Sequence, residues 1–375
     1  MPDTKRLPHF PELDGIRGLA ALAVFLHHFF NASTDLSGVI CRIAALGFLG
    51  VQVFFVLSGF LISSLLFVDR RDPAMLRNFY WKRVLRIWPA LIVYLIAAYT
   101  LTHADAVYVV LSLAFISNFE GLIGDRFEFG STWTLAIEEQ FYLIWPQIIR
   151  NCRVNTVFWL SWSIYLLSVG LRTALPLLRH DSIALAYTPY QCDGLALGAV
   201  LACQWFAVTH LDETAKKIIQ FLNGRSALIL WLVVLGLELD LYWRDLGGRN
   251  INTSLQMTLT TFLAYRVMVL VVLKRSQLVT WLQRKPLLFM GSISYGFYLY
   301  HGIVLERIVD VLGPLNMSLP LIVLARLVFS LGVAIAVSYV SLRFIELPVR
   351  KLRRRVLEVR TSVPDSGSPE TPFTS

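Results

Sequence analysis

The chain has 375 residues, 56% of them hydrophobic against 16% charged, with a mean hydropathy of +0.61 and a net charge of +9. That apolarity excludes an ordinary soluble globule and a disordered chain and fits an all-α, polytopic membrane protein. The positive charge flanks apolar runs, which assigns it to topology and contact with anionic lipid; no nucleic-acid-binding motif accompanies it.

Stretches of about 17–25 apolar residues mark membrane-length helices. In chain order they fall at 15–33, 45–67, 84–102, 135–150, 155–176, 190–208, 226–243, 254–273, 288–310 and 319–346, ten spans in one membrane domain. The first, LDGIRGLAALAVFLHHFF, carries Arg17 and His28. Eleven helical residues place these two within about 20° of one face and roughly 16 Å apart along the axis, while His27 points about 80° away. Ionisable groups at membrane depth are costly enough to mark a site, here one suited to a long ligand; a hydrogen bond from His28 to a neighbouring helix is the plainer alternative. A span that carries such residues and lacks a small-residue cleavage site is expected to stay as helix one rather than be removed as a signal peptide.

In the second span, GVQVFFVLSGFLI, Ser58 and Gly59 make a small step suited to close helix packing. Ahead of the third, FYWKRVLRIWP gathers Lys82, Arg83 and Arg86. Arg83 and Arg86 are spaced i and i+3, so on a helix they share a face and could clamp a phosphate; anchoring of a helix end is the competing reading. The stretch HADAVYVVLSLAFISNF, within 103–134, is too short for a span and reads as a surface or re-entrant helix.

In the fourth span, TWTLAIEEQFYLIWP, Glu138 and Tyr142 lie one turn apart on one face, with Glu139 beside them and Trp133 just before. Adjacent carboxylates at that depth need protonation, pairing or a water-filled cavity. An ion pair with Arg266 or Arg326 is one solution and a catalytic cavity is another. The ninth span, SYGFYLYHGIV, supplies a second buried imidazole, His301, near Tyr295 and Tyr298, which could hydrogen-bond it or pack between helices. In FIELPVRKL, Glu346 and Arg350 flank Pro348 and read as pins between helix ends. Residues 348–375 form a basic stretch followed by a Pro-, Ser- and Thr-rich tail expected to be disordered. Cys41, Cys152, Cys192 and Cys203 are scattered, with no CxxC and no metal-type pairing with histidine, so they read as packing residues and no metal site is expected.

With the N-terminus inside, the inner segments take 23 of the 34 basic residues. Six fall outside (Arg42, Arg126, Arg172, Arg179, Arg244, Arg249) and five at membrane depth, Arg266, Arg307, Arg326 and Arg343 joining Arg17. That asymmetry predicts cytoplasmic N- and C-termini.

Seven blocks, LDGIRGLAALAVFLHHF, GVQVFFVLSGFLI, FYWKRVLRIWPA, STWTLAIEEQFYLIWP, CDGLALGAVLA, ISYGFYLYHGIV and FIELPVRKL, occur in the order that resembles acyltransferase family 3 of membrane O-acyltransferases. The resemblance covers residues 1–347 and implies a multi-pass protein of the bacterial inner membrane. Such a protein would move an acyl group, commonly acetyl, from cytosolic acyl-CoA to a hydroxyl of an envelope polysaccharide, lipopolysaccharide, lipid-linked glycan or macrolide. Acyl-CoA would be a co-substrate, with no permanently bound cofactor.

Acyl transfer to an alcohol needs a base, a polarised thioester carbonyl and a grip on the phosphates of the carrier. The resemblance assigns His28, Glu138 and His301 to catalysis and Arg17, Arg83 and Arg86 to acyl-CoA. Trp133, Glu139, Tyr142 and Tyr295 go to the acceptor or the cavity. Three positions depart from the family pattern. Thr134 stands where serine is usual, Gln191 and Cys192 precede Asp193 where arginine is common, and Gln52 stands where an acidic residue is frequent. A transporter or flippase of a lipid-linked glycan would also need buried ionisable and aromatic residues, and is the rival reading.

Overall fold

The computed structural model describes residues 8–32, 44, 46–122, 131–178, 186–207, 210–244, 249–273, 276–312, 319–349 and 351. Within them every regular element is helical. In chain order these are α1 Pro11–Ala32, α2 Gly50–Asp69, α3 Met75–Leu101, α4 Ala106–Leu113, α5 Thr132–Asn151 and α6 Val154–Leu178. Then come α7 Thr188–Ala207, α8 Glu213–Asn223, α9 Arg225–Arg244, α10 Arg249–Val272, α11 Lys285–Leu312 and α12 Leu319–Ser341. Each of the ten expected spans overlaps one of these helices. Arg350, Cys41 and the expected tail from 352 onward lie outside the described residues.

Seven of the described helices are long and apolar enough to cross a membrane, and an eighth span forms if α8 and α9, bent by 54° at their junction, are taken together. The third begins at Met75 rather than 84, so the basic run expected ahead of the span is the first part of α3 itself. Hydropathy falls at the charges while helix propensity does not, which explains the difference. Apolar side chains such as Leu143, Ile144, Ile229, Leu324 and Phe329 remain exposed on the protein, as a lipid-facing surface requires.

Two close crossings fix the bundle. Along α2 and α7, Gly59 meets the Leu195 carbonyl and Gly198 meets the Val56 carbonyl so tightly that a Cβ would collide with either. Along α1 and α11, Gly18 abuts the Leu287 carbonyl and Gly291 the Asp14 carbonyl in the same way. Small residues let backbones approach where lipid offers no hydrophobic drive to pack. α3 contains Pro89, and the Tyr295 and Tyr300 hydroxyls donate to the Ile87 and Ala90 carbonyls at 3.0 and 3.1 Å on either side of it.

The short apolar stretch does not cross. α4 has eight residues, capped by the Asp105 carboxylate on the Val107 N–H, and the chain then reverses at Phe115, whose φ is 55°. Gln140, about 12 Å into α5, donates to the Phe115 carbonyl at 2.8 Å and to Asn118 Oδ1 at 2.9 Å, so the segment folds back beside the middle of α5. Outside the spans, Asp212 caps α8: its carboxylate accepts from the Ala215 N–H, Trp159 Nε1 and Asn155 Nδ2, which hold it below the usual carboxylate range. Arg266 donates to the Leu222 and Gly224 carbonyls, satisfying orphan acceptors at the end of α8.

Candidate active site

A cavity enclosing about 930 Å³ of empty space, part of it open to solvent, lies between α1, α2, α3, α5 and α11. Arg17, Arg83 and Arg86 supply positive charge to the wall, and Ser58, Thr134, Glu138, Tyr142, Tyr295 and Tyr298 supply hydroxyls and a carboxylate. Phe54, Phe55, Ile87, Leu135 and Leu299 complete an apolar lining. Five helices thus contribute, and Gly18, Gly50 and Gly291 bring the backbones of α1, α2 and α11 close enough to do so.

The carboxylates are compensated by Arg83. Its Nε donates to Glu139 at 2.7 Å, a terminal nitrogen lies 2.6 Å from the same oxygen, and the guanidinium sits 3.6 Å above the centre of the Tyr142 ring. Glu138 is held more loosely: 3.6 Å from Arg83, with the Ser58 hydroxyl donating to it at 2.7 Å. The side chains of Arg83, Glu138 and Glu139 keep 12%, 18% and 15% of their accessibility, so the cluster is neither sealed nor bulk-solvated. Neither Arg266, spent on α8, nor Arg326 pairs with the glutamates. Arg17 donates to Asp14 at 3.1 Å, which accounts for the acidic residue one turn before it.

His28 and His301, 273 positions apart, meet. His28 Nδ1 is 2.8 Å from His301 Nε2, with the rings stacked at 4.9 Å between centroids. His301 Nδ1 lies 2.6 Å from the Tyr298 carbonyl, and the Tyr298 hydroxyl on the cavity wall is 2.9 Å from Thr134 Oγ1. The helical rise from Glu138 back to Thr134, and onward from Tyr298 to His301, puts the histidine pair roughly 10 Å beyond the carboxylates along the bundle axis. The pair therefore stands past the Tyr298 end of the cavity, not on its wall.

Of the residues singled out in the sequence, Arg17, Arg83, Arg86, Glu138, Tyr142 and Tyr295 line this one cavity. Glu139 stands behind it holding Arg83, and Trp133 is half-buried against the hydrophobic core. Three further residues of the lining, Ser58, Thr134 and Tyr298, are uncharged, and a hydroxyl in an apolar helix carries no signal of cost in the sequence, where Ser58 reads as helix packing and Tyr298 as either a partner of His301 or a packing residue. Arg172, one of the six basic residues expected on the outer side, is wholly buried in the protein. It forms a bidentate pair with Asp193 at 2.8 and 3.0 Å and also donates to Thr258 and the Tyr190 carbonyl. It supplies from α6 the cation missing just before Asp193 on α7. Gln52 and Gln191 join each other through an amide hydrogen bond of 2.8 Å beside this pair.

A family model described as an acyltransferase domain matches residues 10–342. A Staphylococcus aureus (strain MRSA252) protein named "Putative O-acetyltransferase" is 27% identical over 96% of this chain and 60% of its own length. The O-acetyltransferase OatA of Staphylococcus aureus (strain NCTC 8325 / PS 47) is 29% identical over 92% of this chain and 57% of its own. The chain thus spans about three fifths of the length of these curated relatives. No solved structure matches it.

Proposed function

The chain belongs to this acyltransferase family, and on that premise we propose that it is a multi-pass O-acetyltransferase with acetyl-CoA as acyl donor and a glycan hydroxyl as acceptor. The observation that carries the reading is the cavity with arginines at one end and the histidine pair just past the other. Arg17 and Arg86 offer charge-assisted hydrogen bonds to the phosphates of coenzyme A. The apolar stretch between Phe54, Ile87 and Leu299 suits the pantetheine arm, which brings the thioester towards Tyr298.

There His28 takes the proton of the acceptor hydroxyl as its oxygen attacks the thioester carbonyl. The carbon–sulfur bond breaks, and the departing thiolate receives that proton. Glu138, bound to Ser58 and near Arg83, orients the reacting groups, and His301 stands beside the base. Ten spans with both termini cytoplasmic suit this arrangement, since they put the arginine end towards the acyl-CoA pool. α5 and α7 then cross despite their polar content, because Glu138, Gln191 and Asp193 face protein rather than lipid.

The test uses the protein in lipid nanodiscs with radiolabelled acetyl-CoA and an oligosaccharide acceptor. Thiol release coupled to an acetylated sugar is the expected result, and His28→Ala at wild-type protein level abolishes it. Unchanged acetylation in that variant would sink the mechanism. The rival transporter moves a lipid-linked glycan across the bilayer without consuming acetyl-CoA, so absence of thiol release together with glycan movement would favour it.

A further inference from the structure

The hydrogen bonds around the histidine pair leave little choice about where its protons sit. The Tyr298 carbonyl can only accept, so the 2.6 Å contact requires a proton on His301 Nδ1. A neutral His301 then has a bare Nε2, which can only accept. The 2.8 Å contact with His28 must therefore be donated by His28 Nδ1–H. A neutral His28 so protonated has its lone pair on Nε2, on the side of the ring away from His301. The only other assignment makes His301 doubly protonated, placing a cation in a side chain that keeps 2% of its accessibility.

We propose that His301 is a positioning residue that fixes the tautomer of His28. Its neutral Nε2 holds the His28 proton on Nδ1 and aims the His28 Nε2 lone pair at the incoming hydroxyl. The chain of hydrogen bonds starts from the helix itself: the backbone carbonyl of Tyr298, one turn before His301 on α11, sets the tautomer of His301, and His301 sets that of His28. An imidazole alone in an apolar helix would divide its proton between two nitrogens and rotate freely about its side-chain bonds. A ring locked by an acceptor on the far nitrogen presents one basic atom in one direction. The stacking of the two rings, with planes inclined by 30°, restrains that orientation further. His27 does not compete for the role: its ring meets His28 edge-on at 5.2 Å between centroids and its Nε2 is engaged by Asn31.

The inference rests on the reading of His28 as the base, but one arm of its test does not depend on activity. In nanodiscs carrying protein with isotope-labelled histidine, nitrogen NMR identifies the His28 signals by their loss in His28→Gln. The wild type is expected to show His28 protonated at Nδ1 and bare at Nε2, and His301→Ala is expected to give a mixture of both tautomers. Wild-type protein with a bare His28 Nδ1 overturns the proposal. The kinetic arm compares His301→Ala, His301→Gln and His301→Asn, each first checked for an unchanged thermal midpoint. His301→Ala should lower kcat on the order of a hundredfold with the KM for acetyl-CoA unchanged. Gln, whose amide oxygen can reach the place of Nε2, should restore most of the rate; the shorter Asn should not. Equal losses in Gln and Ala, or a wild-type kcat in His301→Ala, would overturn it. If His28→Ala keeps full transfer while the NMR pattern is as expected, the fault lies in the proposed base and not in the tautomer.

Discussion

Among the described residues, the buried clusters Arg172–Asp193 and Arg83–Glu138–Glu139, both at membrane depth, are built to different standards. Arg172 and Asp193 have no accessible side-chain surface and meet in a two-pronged pair; Thr258, Thr261 and the Tyr190 carbonyl take up further hydrogen bonds, and the pair lines no part of the cavity. Arg83, Glu138 and Glu139 keep some exposure, and one of the carboxylates stands 3.6 Å from its cation while facing the void. Two charges taken out of water need close geometry and full hydrogen bonding to avoid a net cost. The first cluster comes close to that demand, only Arg172 Nε lacking a hydrogen bond, and it opens on no cavity from which a ligand could reach it. The second falls short of it at Glu138, and that shortfall is what a substrate can complete. Burial of charge thus marks both clusters, and only unspent capacity beside a cavity separates a site from a strut.

The sharpest way to break this contrast is to cut the sealed pair. Asp193→Ala leaves Arg172 buried without its counter-ion and should cost about 3–5 kcal/mol of stability, seen as a steep fall in folded yield and thermal midpoint. The double variant Arg172→Met with Asp193→Leu removes both charges and should recover most of that loss, and the protein that folds should transfer acetyl at the wild-type rate. Slow transfer by well-folded double variant would show that the strut is part of the machinery after all. Glu138→Gln comes next. The amide can still accept from Ser58, and Arg83 keeps Glu139, so the midpoint should hold within about 1 kcal/mol while kcat falls on the order of a hundredfold. A fully active Glu138→Gln would make the two clusters alike. Arg86→Gln should be milder, raising the KM for acetyl-CoA roughly tenfold, which corresponds to about 1.4 kcal/mol of binding, with kcat preserved.

The difference between the clusters was only half legible in the sequence. Arg17, Arg83, Arg86 and Glu138 drew attention because each charge interrupts an apolar run, and the i, i+3 spacing of Arg83 and Arg86 does put both on the cavity side of α3. Spacing reports the face of one helix, however, and not which helix lies opposite. Arg83 could not be matched with Glu139 across 56 positions, nor His28 with His301, without the bundle that brings α1 to α11 and α3 to α5. Arg172 shows the limit most clearly. It stands near the end of its helix, where a basic residue normally reaches for the surface, and only the arrival of Asp193 on the next long helix turns it inward.

The smallest effect tests whether Ser58 belongs to the second cluster as a reacting group or as a support. Its hydroxyl donates to Glu138 at 2.7 Å, and it sits beside Gly59, where α2 is pressed against α7. If the hydroxyl only satisfies the carboxylate, Ser58→Ala removes one hydrogen bond to a charged or partly charged acceptor. Transfer should then slow by about fivefold, equivalent to roughly 1 kcal/mol. The same substitution in the Glu138→Gln background should cost less than it does alone, because the two side chains act through one hydrogen bond and their effects cannot add. Full additivity would detach Ser58 from Glu138. A loss in Ser58→Ala as deep as that of Glu138→Gln would mean that the hydroxyl itself meets the acyl group, and the open cluster would then hold the nucleophile rather than merely orient the reaction.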